Sequence, residues 1–439
     1  MTQGSLAKDL HHKLIEEEDA RACKAIDEKA CQEVPGNFLL TIIANFFSKL
    51  GDAVSNPKIV LPWIMQTIGA PLYLLGFLVP IRESGSMIPQ LVIAGYIRKM
   101  EIRKWVWVAG SVLQALSMGA MGFVAWTMEG AAGGWAIIGL LVIFSLARGL
   151  SSVASKDVLG KTIPKTQRGK VTGWSASVAG LITLGYGAVL IFTPKEDFTA
   201  AIYGAMLAAA GVFWILGGLA FARIKEFPGE TDGGKSGFIE GLKRISILKT
   251  DKPFRKFVFI RALLLCSALT APYYVALAQD SLGSPAYLLG MFVLADGAAS
   301  LLSAPFWGRF ADASSRNVMI YSAVIVTLLG VVVFAIDLIN AEWFKTIWLL
   351  PAVYFVLSIA HQGVRIGRKT YVVNLAEGNK RTDYVSVSNT MIGIILLIMG
   401  LSGTLSTVLS IPEIILALSC LGAVGALLGH TLPDVEKES

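Results

Sequence analysis

The sequence predicts an all-α membrane protein with twelve transmembrane helices in two pseudo-symmetric six-helix bundles. Three observations lead there. First, Gly69-Ala70-Pro71-Leu72-Tyr73-Leu74-Leu75-Gly76 returns as Gly283-Ser284-Pro285-Ala286-Tyr287-Leu288-Leu289-Gly290, with the two tyrosines 214 positions apart. Gly95, Lys99 and Arg103 likewise line up with Gly308, Asp312 and Arg316 at an offset of 213. Second, 54% of residues are hydrophobic and 16% charged, with a mean hydropathy of +0.63; soluble domains carry roughly 25% charged residues. Third, the basic residues gather in alternate loops. Two similar helical halves can rock about a site at their interface, so the repeat points to movement of a solute across a bilayer.

Apolar runs bounded by charged or Gly/Pro clusters place the twelve spans, in order, at 40–66, 72–97, 104–127, 133–155, 171–193, 199–222, 256–278, 286–308, 317–338, 345–366, 385–408 and 411–430. The loops after spans 2, 4, 6, 8 and 10 hold Arg98, Lys99, Arg103, Lys104, Lys161, Lys165, Arg168, Lys170, Arg309, Arg316, Arg368, Lys369, Lys380 and Arg381, plus a basic middle loop from Lys235 to Lys256. The opposite loops hold only Lys195 and Lys345. The positive-inside rule then makes both termini and the middle loop cytoplasmic. The expected organisation is an N-terminal segment 1–39, a bundle 40–222, a linker 223–255, a second bundle 256–430 and a tail 431–439. Leu6, Leu10 and Leu14 recur at helical spacing, so the N-terminal segment is expected to lie as an amphipathic helix on the cytoplasmic surface.

The net charge of +7 does not imply nucleic acid, because the excess sits on one side of the bilayer. Cys23 and Cys31 fall in the N-terminal segment and Cys266 and Cys420 inside spans, so no disulfide framework is expected. Gly229-Glu230-Thr231-Asp232-Gly233-Gly234-Lys235-Ser236 matches a phosphate-loop pattern. Such a loop needs a strand, a helix and a nucleotide-sized domain around it, so here it reads as a flexible linker. Hydropathy excludes a soluble enzyme. No cofactor is expected, and no Cys, His and carboxylate cluster has metal-ligand spacing.

Gly308-Arg309-Phe310-Ala311-Asp312-Ala313-Ser314-Ser315-Arg316, between spans 8 and 9, resembles the loop motif of the major facilitator superfamily (Gly, an Asp four later, then a basic residue). In the first half the copy is Gly95, Lys99 and Arg103, with Lys99 where the Asp belongs. The resemblance covers nearly the whole chain. It implies that spans 1, 4, 7 and 10 line a central cavity, with 2, 5, 8 and 11 flanking it and 3, 6, 9 and 12 outside. It also implies that Asp312, with Arg309 or Arg316, latches the cytoplasmic loops. Arg148 resembles the buried arginine of proton antiporters, but Ser152 stands where a glycine is expected.

Ionisable residues inside spans are costly and therefore functional candidates. Those near mid-bilayer are Asp52 and Lys58 in span 1, Arg82 and Glu83 in span 2, Arg148 in span 4, Arg261 in span 7, Asp296 in span 8 and His361 in span 10. The interiors of spans 3, 6, 9 and 12 have none, which agrees with their outer place in the implied fold. Asp52, Glu83 and Asp296 are candidates to carry a proton, and as a set they are expected to face the cavity with the arginines; static ion pairing is the alternative for each. His361 and the tyrosine pair Tyr273 and Tyr274 beside Pro272 are candidate ligand contacts. The slight surplus of cations favours an anionic or zwitterionic small solute, moved by a proton-coupled monomer of the bacterial inner membrane. Efflux of amphipathic compounds, lipid flipping and non-transporting sensing are the competing readings.

Overall fold

The structure, a computed structural model, describes residues 31–97, 99–192, 198–229, 231, 245–375 and 380–436. The N-terminal amphipathic helix, Cys23, Arg98, Lys195, most of the phosphate-loop-like pattern, Lys243, Arg244 and the last tail residues lie outside them. Helices account for all twelve expected spans. Span 1 is α1 (Val34–Val54) and α2 (Val60–Thr67); span 2 is a 3-10 turn (Leu72–Leu74), α3 (Leu75–Met87) and α4 (Gln90–Ile97). Spans 3 to 6 are α5 (Lys104–Thr127), α6 (Gly130–Thr162), α7 (Lys165–Ile191) and α8 (Ala200–Ala222). After a short α9 (Ile247–Thr250), span 7 comes in three pieces: α10 (Lys252–Leu263), α11 (Cys266–Leu269) and α12 (Ala271–Leu282). Spans 8 and 9 form α13 (Ala286–Asn340), broken at Ser314, whose backbone is extended. Span 10 is α14 (Leu349–Asn374), span 11 is α15 (Lys380–Gly400) with a 3-10 turn (Leu401–Thr407), and span 12 is α16 (Ile411–Gly429). Among the described residues nine helical stretches are long and apolar enough to cross a bilayer unaided; the broken pieces of spans 1 and 2 are not among them.

The breaks have local causes. Pro57 cannot continue a hydrogen-bonded helix, so the chain turns through Asn56, whose carbonyl accepts from Ile59, Val60 and Leu61. Pro272 opens α12 in the same way, at its first turn. The repeated octapeptide is also a repeated backbone shape. Gly69 and Gly283 both take positive φ, 69° and 78°, immediately before an extended segment and a new helix. At Gly283 ψ is −164°, a region open essentially to glycine. Replacing Gly283 by Ala is therefore expected to cost about 1–3 kcal/mol, read as a lowered Tm in detergent; an unchanged Tm would contradict the assignment.

Within the first half α5 packs along α6 and α8, α1 along α8, and α3 along α6; within the second, α13 packs along α14 and α16. The helices of spans 3, 6, 9 and 12 present exposed apolar side chains, such as Leu116 and Phe123, Val212 and Leu219, Leu328 and Val332, and Leu427. Those faces suit lipid. Trp126, Trp135, Trp343 and Trp348 are exposed around the side opposite the termini, where an aromatic belt is expected.

The halves meet tightly on that opposite side. α7 lies on α13 and α3 on α15. A Cβ on Gly76 would sit 2.5 Å from the Gly403 Cα, and one on Gly403 would overlap the Tyr73 carbonyl oxygen. No side chain larger than hydrogen fits between those backbones. Gln279 Nε2 in α12 adds bonds to the Trp63 carbonyl at 3.3 Å and to Thr67 Oγ1 at 3.1 Å in α2.

On the terminal side each half ties its last helix back to its third. Glu226, just past α8, accepts from the Arg103 and Lys104 amides at the start of α5, at 2.9 and 2.7 Å, and pairs with Lys161 at 3.0 Å. Glu436, past α16, accepts from the Ser315 amide at 3.1 Å, while Asp434 takes Ser314 Oγ at 3.1 Å and Arg316 at 3.3 Å. Helix N-termini attract carboxylates through their unbonded amides and dipole. Cys31 is disulfide-bonded, correcting the expectation of no disulfide, which rested on compartment and not on geometry; Cys266 and Cys420 are free thiols.

Candidate functional site

Every in-span ionisable residue picked from the sequence lines one cavity of about 440 Å³ between the halves: Asp52, Lys58, Arg82, Glu83, Arg148, Arg261, Asp296 and His361. The helix breaks help to position them. The unwound stretch after α1 brings Asn56, Pro57 and Lys58 to the wall, and the interruption between α10 and α11 brings Leu264 and Leu265 there. Broken spans can be tolerated at this depth where they line a cavity.

Asp52 is the hub of the first half. Arg148 of α6 grips it with both guanidinium nitrogens, at 2.5 and 2.7 Å, and Arg82 of α3 donates at 3.2 Å. Lys49, one turn before it on α1, lies 3.8 Å away. Arg82 is also held by the face of Phe144, 5.0 Å below. Three spans are thus cross-linked through one carboxylate.

Glu83 differs. It lines the same cavity, yet its carboxylate makes no hydrogen bond or ion pair among the described residues. The cations acting on it are Lys58, Arg82, Arg365 and Arg368. Asp296 of α13 accepts from Ser358 at 2.9 Å and from Asn56 at 3.4 Å, the second bond crossing between the halves. Lys58 crosses as well, with Nζ 2.6 Å from His361 Nε2, while Ser267 Oγ lies 3.1 Å from the other ring nitrogen. An ammonium has only donors, so this geometry needs an imidazole whose Nε2 is unprotonated.

Sequence reasoning missed part of the wall. A span 10 that ends at 366 leaves Arg368 in the following loop and Arg365 at the last turn. In fact α14 runs to Asn374. His361, Arg365 and Arg368 are spaced four and three apart, so they share a face, and all three line the cavity. Lys49 sits three residues before Asp52; that spacing was the available signal. Ser388 and Asn389, which bind Arg261, gave none. Tyr273 and Tyr274 are buried and are not part of the cavity wall.

A wider cavity of about 770 Å³ shares Lys49, Asp296, Ser300, Gln362 and Arg365 with the first. It continues to Leu159, Val171 and Phe221, near the terminal-side ends of α6, α7 and α8. The site is thus open toward the side that carries the termini and sealed from the other.

The loop residues are arranged differently from expectation. Asp312 is exposed and makes no hydrogen bond or ion pair among the described residues, so in this conformation it is not the latch. The helix restarts at Ser315, beyond the Ser314 break, and the tail carboxylates Asp434 and Glu436 hold that start instead. Arg316 serves this tail contact; Arg103, its counterpart, pairs with Asp157 at 3.2 Å. Lys99 is exposed, Gly95 lies in α4, and Gly308 and Arg309 lie in α13 ahead of the break.

Residues 41–336 match the sequence profile of the Major Facilitator Superfamily, which is more than half of the chain. The chain belongs to the Major Facilitator Superfamily. No curated protein matches it in sequence. Among solved structures, a point variant of the nucleoside transporter NupG superposes with a TM-score of 0.71 at 13% identity, covering 90% of this chain and 99% of that one. A D-xylose-proton symporter gives 0.67 at 13% identity, over 92% and 99%. A bacterial homologue of the iron transporter ferroportin, in an inward-facing state, gives 0.60 at 17%, over 92% and 98%. At these identities the likeness establishes the fold. A superfamily member with this architecture is a membrane transporter.

Proposed function

We propose that the chain is a proton-coupled secondary transporter of a small anionic or zwitterionic solute, working by alternating access. In this reading the halves 40–222 and 256–430 rock about the charged cavity. The segment 1–39, the linker 223–255 and the tail 431–439 face the cytoplasm from a bacterial inner membrane, and the protein acts as a monomer. One observation carries the substrate class: the cavity wall holds Lys49, Lys58, Arg82, Arg148, Arg261, Arg365 and Arg368 against Asp52, Glu83 and Asp296. That excess repels cationic amphiphiles and attracts anions. The cavity opens toward the side assigned as cytoplasmic, so the conformation is inward-open.

Glu83 is the proton carrier favoured by the geometry. Asp52 is committed to two arginines, whereas Glu83 lines the cavity without a hydrogen bond or ion pair among the described residues; the cations around it hold it ionised, and a substrate anion that draws them away would let it take up a proton. In proteoliposomes, uptake of an anion panel is expected to rise with an inward-directed proton gradient. Glu83→Gln should lose gradient-driven accumulation while downhill exchange continues. A variant whose accumulation follows pH as the wild type does would remove Glu83 from the coupling path. Accumulation of cationic amphiphiles but no anion would overturn the substrate class.

A further inference from the structure

Arg261 is a buried cation with no carboxylate partner among the described residues. It is 5% exposed. Its two terminal nitrogens donate to Ser388 Oγ at 2.5 Å and Asn389 Oδ1 at 2.9 Å, both neutral oxygens of α15. Its Nε is buried with no partner. Among the described residues no carboxylate lies within ion-pair distance of it, and the charge that acts on it is another cation, Arg368. Arg368 and Arg365, on the cavity face of α14, make no hydrogen bond or ion pair among the described residues either, and all three arginines line the 440 Å³ cavity.

The first half offers the contrast. There Asp52 bonds to both Arg148 and Arg82, at 2.5 and 3.2 Å. In the second half Arg261, Arg365 and Arg368 bond to no carboxylate among the described residues; Glu83, from the first half, faces Arg365 and Arg368 without bonding to them. Burying a guanidinium unpaired costs several kcal/mol, so Arg261 is stable where an anion can enter; Arg368 beside it is half-buried and Arg365 is exposed to the cavity. The planar guanidinium fork matches the two oxygens of a carboxylate or phosphate. Ser388 and Asn389 fix the orientation of Arg261 before any ligand arrives, which lowers the ordering cost of binding.

We infer that Arg261, Arg365 and Arg368 form the subsite for a doubly charged oxyanion, a phosphate or dicarboxylate group of the transported solute. This rests on the reading of the cavity as the transport site. With Glu83 facing them, the three guanidinium groups keep a surplus of two positive charges (three less one), which a doubly charged anion balances.

The test is thermal unfolding of the purified full chain in detergent, with inorganic phosphate and succinate as probes and chloride and glucose as controls, at matched ionic strength. Phosphate or succinate should raise Tm by about 2 °C or more at saturating concentration, and the controls should not. The arm that responds identifies the oxyanion. Arg261→Gln and Arg368→Gln should each abolish the shift. Without ligand, Arg261→Gln should be at least as stable as the wild type, because it removes an uncompensated buried charge; a merely structural arginine would show the opposite. If Arg261→Gln fails to fold, that structural role is indicated and the subsite falls unless Arg368→Gln folds and loses the shift. A wild type that no oxyanion stabilises, or variants that keep the shift, overturns the proposal. Uptake of a neutral solute in proteoliposomes with no oxyanion shift would sink the subsite and leave the transporter standing. An oxyanion shift that depends on both arginines, with no uptake of any solute, would support the subsite and sink the transport reading.

Discussion

Asp52→Asn is expected to abolish transport and to destabilise the protein by about 2–4 kcal/mol, somewhat less than the loss from breaking a fully buried pair. The substitution leaves Arg148 and Arg82 facing each other across a neutral amide, with side chains 26% and 11% exposed. Spans 1, 2 and 4 then lose the group that joins them. The measurement is Tm in detergent together with uptake in proteoliposomes. A double variant, Asp52→Asn with Arg148→Gln, should recover part of the stability, since one of the orphaned charges is gone, without recovering transport. Additive losses in the double variant would mean that the two residues do not act as a pair.

Gly403→Val should have an effect of similar size on activity by another route. In the sealed state its new side chain has no space, since even a Cβ would overlap the Tyr73 carbonyl oxygen. The two halves should then fail to close on the side away from the termini. Uptake is expected to fall at least about tenfold, the ratio that corresponds to roughly 1.4 kcal/mol against the closed state. A cysteine introduced at Ser267, on the cavity wall, should react with a membrane-impermeant thiol reagent applied from that side more readily in the variant than in an otherwise unchanged chain. Wild-type uptake by Gly403→Val would show that the seal is not required.

Much of this was legible in the sequence because membranes impose simple rules. A charge inside an apolar run must find water or a partner, so Asp52, Arg82, Glu83, Arg148, Arg261 and Asp296 could be assigned to a common interior before any contact was known. The repeated Gly-x-Pro segment marked the internal symmetry, and Gly69 and Gly283 share a backbone conformation that explains why glycine recurs. What could not be read was which charges pair. Asp52 and Lys58 share one span and could have neutralised each other, but the unwinding between α1 and α2 turns Lys58 toward His361 and leaves Asp52 to the arginines. Arg368 was misplaced because charge marks a helix's exit from the bilayer only when the helix stops there, and α14 continues past it. Asp312 was misread for a related reason. The loop pattern fixes which residues are near the turn, while the carboxylate that reaches the new helix start comes from the tail, more than a hundred residues later.

The two carboxylate ties, Glu226 on the start of α5 and Glu436 with Asp434 on the start of the helix after Ser314, have a mechanical meaning. A stack of helices joined only by loops is compliant and can shear internally when pushed. Bracing the last helix of each half to the third closes the stack into a truss, and a truss transmits force to its ends instead of absorbing it. Deformation is then concentrated where the bracing is absent, along the glycine-lined seam of α3 with α15 and in the unwound turns of spans 1 and 7. Free energy released by an ion or solute at the cavity would accordingly emerge as rotation of whole halves, and little of it would be dissipated as bending within either one.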